Sequence, residues 1–116
     1  MDFVQYNGND LMGLPTNKNH LNFKLIDSEC KFLFSITRQG NAASCHFAAN
    51  KKSMKNIIEI IKNAIKFIFD YFEWCTMIIA KIKLKKIEKI VKDCGFKKIL
   101  NTDQGPIYIR IKEWDF

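Results

Sequence analysis

Hydrophobic positions change their period part-way along the chain, and the change divides the sequence into elements. Between residues 22 and 50 the spacing is two. Phe23 and Leu25 flank Lys24, and Phe32, Phe34 and Ile36 interleave with Leu33, Ser35 and Thr37. Arg38, Gln39, Gly40 and Asn41 carry a turn signal, because Gly and Asn tolerate a positive φ. Small residues around Cys45, His46 and Phe47 follow, so the pattern predicts an antiparallel hairpin of 31–38 with 42–49.

After residue 53 the spacing becomes helical. Ile57, Ile61, Ala64, Ile65, Ile68 and Phe72 share one stripe, and Ile58, Phe67 and Phe69 widen it. Ser53 is the expected N-cap, since a hydroxyl accepts from the open amides of a first turn. Residues 76–82 form a short apolar run of the length of a central strand. A second amphipathic helix is predicted next. Leu84, Ile87, Val91 and Cys94 lie on its inner face, Lys83, Lys85, Lys86, Lys89 and Lys92 outside, and Gly95 stops it. Residues 96–100 read as a strand and 103–106 as a turn. In a last strand Ile107, Ile109 and Ile111 alternate with Tyr108, Arg110 and Lys112.

The first twenty or so residues, rich in Asn, Gly and Asp, read as loop or a short edge element. The order is then hairpin, helix, strand, helix, hairpin. A strand–helix–strand crossover sets its two strands parallel, so the pattern predicts a mixed α/β fold with a central sheet.

Composition narrows the function classes. The 116 residues suffice for a single core, and 47% hydrophobic with 27% charged residues argues against wholesale disorder. Net charge is +7, with nineteen Lys plus Arg, of which only Arg38 and Arg110 are Arg. A basic surface attracts nucleic acid, an acidic partner or a phosphate-bearing ligand. Scarcity of Arg argues against base reading, because the guanidinium fork is what reads guanine. A lysine-writing genome also accounts for the charge. Cys30, Cys45, Cys75 and Cys94 form no CxxC pair, and two His complete no zinc signature. Reduced thiols in a cytoplasmic protein are the expectation. Residues 1–15 lack a basic start followed by an apolar run, and 57–79 is broken by Glu59, Lys62, Lys66, Asp70 and Glu73. Neither a signal peptide nor a membrane span is expected.

This order of elements, with Lys92, Asp93, Cys94, Gly95 and Phe96 closing the second helix, resembles the back half of the GNAT-type N-acetyltransferases. Small phage-encoded members look most similar. The features shared with them are Cys45-His46-Phe47, the aromatic end of the first helix (Phe67, Phe69, Tyr71, Phe72), and 79–82 ahead of Cys94-Gly95-Phe96. The resemblance covers about 31–112 and implies a GNAT-like mixed central sheet flanked by helices. It implies a single domain over 1–116, with a loop-rich segment at 1–21 and a reduced N-terminal half. In that family a strand, here 42–49, runs into a loop and helix, here 50–56 and 57–72, whose amides hold the pyrophosphate of acetyl-CoA. The next strand, here 76–82, diverges and leaves a wedge for the pantetheine. The implied cofactor-binding residues are Phe47, Ala48, Ala49, Lys51, Lys52, Ser53, Met54, Lys55 and Asn56. The family's loop carries glycines where this chain has Asn50, Lys51, Lys52, Ser53, Met54, Lys55 and Asn56. Its usual Asn and Tyr on the second helix correspond to Leu84 and Val91.

Two side chains are candidates for chemistry. His46 lies on the strand where the family places a general base, and an imidazole titrating near neutrality suits that work; the competing reading is an inert sheet histidine. Tyr108, read as an outward phenol, is a candidate proton donor near the thiolate, against a plain surface aromatic. Lys51, Lys52 and Lys55 at a helix start suit a phosphate, against a solvated turn. Cys45 and Cys94 are read as core, and the lysine face of the second helix as solvated surface. The implied function is an acyl-CoA-dependent, acetyl-CoA-using N-acyltransferase. The alternative is an inert GNAT-like phage or host-interaction protein that binds a macromolecule. A protein acceptor, a host protein and a homodimer stay open as partners, while nucleic acid and membrane are disfavoured.

Overall fold

The computed structural model describes residues 1–15, 19–82 and 85–114. Expectations for Lys83, Leu84 and the side chain of Lys85 lie outside the described residues. The strands are β1 (Phe3–Gln5), β2 (Leu21–Leu25), β3 (Phe32–Gln39), β4 (Ala42–Ala49), β5 (Met77–Lys81), β6 (Lys97–Thr102) and β7 (Gly105–Ile111). Helix α1 (Ile57–Tyr71), entered through a 3₁₀ turn at Lys52–Asn56, joins β4 to β5, and α2 (Lys85–Asp93) joins β5 to β6. One sheet forms in the order β1-β2-β3-β4-β5-β7-β6. All neighbours are antiparallel except β4 and β5, the parallel pair that the α1 crossover requires. The architecture is a mixed α/β sheet with flanking helices.

The predicted hairpin forms as β3–β4, with Gln39 facing Ala42 across Gly40 and Asn41. Gly40 sits at φ 63°, the first central position of a turn that favours Gly. The segment read as loop or edge contributes an edge strand, β1, whose Phe3 packs in the core against Phe32 and Phe34. Leu14, further along it, is also buried.

Strand parity sorts the faces. Phe23, Phe34, Phe47 and Cys45 share one face with Ala43, Ile78, Ala80, Tyr108 and Arg110. Both helices pack there: Phe67 of α1 lies edge-on to Phe23 and Phe34, Glu88 of α2 accepts from Tyr108, and the Cys94 thiol sits 3.7 Å from the Ile58 carbonyl oxygen. Each isoleucine that α1 takes out of water contributes about 2 kcal/mol, and Ile60, Ile61, Ile65 and Ile68 are all buried. The opposite face carries Asn22, Ser35, Ser44, His46, Ala48, Ile79 and Lys81. No helix among the described residues covers it, or is long and apolar enough to cross a membrane.

Candidate functional site

The sheet is not continuous at its centre. Between β4 and β5 only Ala42–Met77, Ala43–Ile78 and Ser44–Ile79 pair, while β5 stays on β7 as far as Lys81–Ile107 and β4 stays on β3 as far as Ala49–Phe32. Beyond Ser44 the strands therefore part, each held by its other neighbour. The Asn50 amide donates to the Lys31 carbonyl on the β3 side. Strand alternation then turns the peptide groups of Phe47 and Ala49 the other way, into the gap.

A cavity of about 420 Å³ occupies this gap. Cys45 to Ala49 form one wall and Ala80, Lys81 and Ile82 the other. Ile57 and Ile61 of α1, with Ile87, Ile90 and Val91 of α2, close the helix side. Met12, Gly13, Leu14 and Pro15 cross over the helix-free side. This strap is tied down by Asp10, which accepts from the Lys31 ammonium and the Met12 amide and is held by both below the usual carboxylate range. Met12 takes φ 53°, uncommon for a residue with a side chain. Nothing in the sequence marks these four residues as wall, because the strap carries no period and reaches the cavity only through tertiary folding.

At the mouth stands the turn between β4 and α1. Ser53 is not the N-cap of α1. It is fully buried inside the 3₁₀ turn, where its hydroxyl donates to Asn50 Oδ1 at 2.6 Å and lies 3.2 Å from the Lys31 carbonyl oxygen. α1 starts after Asn56 without a side-chain cap, and it is the 3₁₀ turn before it that Asn50 caps, its Oδ1 accepting from the Ser53 amide at 3.0 Å. Lys51, Lys52, Lys55 and Asn56 are exposed around the turn, and Met54 reaches the cavity. Lys52 approaches Glu29 at 3.9 Å with both side chains largely in water, a weak pairing.

His46 lines the cavity on the helix-free face, opposite Ser35 in register, and its ring centroid lies 6.2 Å from that of His20. Asn22 faces Ser35 on the other side, so Asn22, Ser35 and His46 form a row across three strands. Asn22 Oδ1 and Ser35 Oγ are buried with no hydrogen-bond partner among the described residues. Lys81 faces the same side and donates to Gln104 Oε1 at 2.7 Å. The row and Lys81 escaped the sequence reading, although the register of the hairpin, once known, places Ser35 beside His46.

Tyr108 does not face outward. It is fully buried under α2, where its hydroxyl donates to Glu88 Oε1 at 3.0 Å. Burial, and then the Glu88 carboxylate, push the phenol above its ordinary pKa. The structure brings His46 and the β4 residues together around the cavity and leaves Tyr108 apart from them. Cys45 points to the helix side and is buried, and burial raises both its thiol and that of Cys94, the latter to about 11. Among the described residues no group of three or more His, Cys, Asp or Glu is placed to hold a metal ion.

No protein-family model and no curated protein matches the sequence. Solved structures do match in fold. The Campylobacter jejuni N-acetyltransferase PseH, in complex with acetyl coenzyme A, superposes with TM-score 0.69 at 14% identity over 84% of this chain and 71% of its own. A chimera of the Vibrio cholerae spermidine N-acetyltransferase SpeG gives 0.66 at 11% identity, over 82% and 68%. The aminoglycoside acetyltransferase AAC(6')-Ib, in complex with coenzyme A, gives 0.64 at 10%, over 83% and 68%. At these identities the likeness is one of fold, and the fold is that of the GNAT acetyltransferases.

Proposed function

We propose that the chain is an acyl-CoA-dependent N-acyltransferase that uses acetyl-CoA. The observation that carries this reading is the parting of β4 from β5 beyond Ser44, with an apolar cavity in the gap and a lysine-rich helix entrance at its mouth. Such a slot suits a thin arm carrying phosphates at one end, and solved proteins of the same fold are complexes with acetyl coenzyme A or coenzyme A.

Acetyl-CoA would supply an activated thioester. Around it, Lys51, Lys52 and Lys55 meet phosphate charge, helped by the open amides where the chain enters α1. Phe47, Ala48 and Ala49 flank the arm, and the peptide N–H groups of the first and last polarise its carbonyls. Met54 and Asn56 border the entrance, while Ser53 supports the turn from inside. His46, or a water that it orients, takes the acceptor's proton. In the transfer a nitrogen–carbon bond forms, the carbon–sulfur bond breaks, and the proton lost by nitrogen ends on the departing thiolate. Much of the acceleration is positional. Tyr108, buried against Glu88, is read here as support for α2. The reading takes 31–112 as the working core of one domain and 1–21 as its cover.

Thermal melting with and without coenzyme A tests the reading. A ligand bound only by the folded form at about 100 times its Kd adds about 2.7 kcal/mol, roughly 10 °C or more for a domain of this size. No shift at millimolar coenzyme A overturns it. With binding present, His46→Ala should cut turnover about 100-fold or more and leave the shift intact; unchanged turnover clears His46. A second reading, an inert protein that binds a macromolecular partner, is favoured by one observation. Val91, fully apolar and buried, stands where the resembled family carries its tyrosine acid. A coenzyme A shift with no thiol release from any amine would favour it.

A further inference from the structure

The charge around the cavity says which kind of acceptor amine the proposed transferase takes, an inference that rests on that reading. With a carrier entering past Lys51 and Lys55, α1 and α2 block the helix side of the slot. The acceptor is left the opposite side, between β4 and β5 under the strap. Among the described residues the groups there are His46 with His20 beside it, Lys81, and the backbone and apolar side chains of 12–15. No carboxylate lines the cavity among the described residues. The nearest acid of the strap, Asp10, is engaged by Lys31, and the acid of the β6–β7 turn, Asp103, is exposed. Lys81 is held by Gln104, which fixes the ammonium at the edge of the slot without neutralising it.

A polycationic acceptor needs carboxylates in such a place, and bare Lys81 repels it. We infer that the acceptor is a small amine carrying an anionic group, a phosphate or a carboxylate, that pairs with Lys81 while its amino group lies toward His46. The row of Ser35 Oγ and Asn22 Oδ1 beside His46 adds polar groups on the same face. A fixed cation nearby also disfavours the ammonium form of the acceptor, which brings the nucleophilic free amine within reach at neutral pH. The preference is thus opposite to that of a spermidine or aminoglycoside acetyltransferase, although the fold is shared.

The test is thiol release from acetyl-CoA with four probes at equal concentration: glucosamine 6-phosphate, glutamate, glucosamine and spermidine. The first two distinguish phosphate from carboxylate. At least one of them should exceed both glucosamine and spermidine about tenfold. Lys81→Gln, which keeps a partner for Gln104, should raise KM for the anionic acceptor about tenfold and leave the coenzyme A melting shift unchanged. Equal or better turnover of spermidine or glucosamine overturns the inference, as does a Lys81→Gln enzyme with unaltered preference. Thiol release from none of the four, with the melting shift present, also overturns it and leaves cofactor binding standing. Absence of the shift removes the transferase reading and this inference together.

Discussion

On β7 the polar side chains Tyr108 and Arg110 face the helices, while Ile107, Ile109 and Ile111 lie half-buried on the uncovered face. Alternation alone suggests the reverse. The arrangement holds because both buried side chains find acceptors: Tyr108 donates to Glu88, and the two terminal nitrogens of Arg110 donate to the Ile111 and Trp114 carbonyls at 2.8 and 2.9 Å. Tyr108→Phe should therefore cost about 1 kcal/mol at neutral pH, read from urea melts. The ionised phenol is excluded by burial and by Glu88, so the folded pKa is raised above a phenol's ordinary value of about 10. The stability that the neutral phenol contributes is complete below that value and is lost as pH climbs through the raised one. Wild-type melts at alkaline pH should fall more steeply than those of Tyr108→Phe. Parallel curves would deny Tyr108 a role in the alkaline transition.

At the scale of elements, α2 ends in a closed pattern of caps. The Phe96 amide donates to the Val91 carbonyl at 3.1 Å and the Gly95 amide to the Lys92 carbonyl at 3.0 Å, with Gly95 at φ 91° between them. Val91 and Phe96 meet in the core below. A Cβ on Gly95 would also stand 2.8 Å from the Arg110 Nε. Gly95→Ala should lose about 1 kcal/mol for backbone conformation alone, and more for the displaced guanidinium, as a drop in urea midpoint. This stop was legible in sequence, as were both helices and both hairpins, because period and glycine act locally. The cap of the β4–α1 turn was not. Asn50 and Ser53 are both capping residues three apart, and only the position of the Lys31 carbonyl decides which one caps and which is buried. The face of Tyr108 was equally illegible, since it depends on where α2 docks.

For the molecule as a whole, the parted sheet is the feature from which function is read. His46 was singled out through the family resemblance of its strand, but the second wall, the strap and Lys81 come from chain segments distant in sequence. No local pattern assembles them. Ala48 lines the cavity from the helix-free face, where a larger side chain has room. Ala48→Phe should abolish the coenzyme A melting shift and hold or raise the melting temperature without ligand. A persisting shift would place the ligand elsewhere.

The same seam has a mechanical meaning. Among the described residues, three strand pairs, at Ala42, Ala43 and Ser44, and the Thr76 amide on the Asn41 carbonyl at their end are the rungs that join one four-stranded block to its three-stranded neighbour. Force or thermal agitation therefore meets a hinge there, bridged mainly by the helices on one side. A guest that spans both blocks rivets them together, so its effect on rigidity should be felt across the entire sheet.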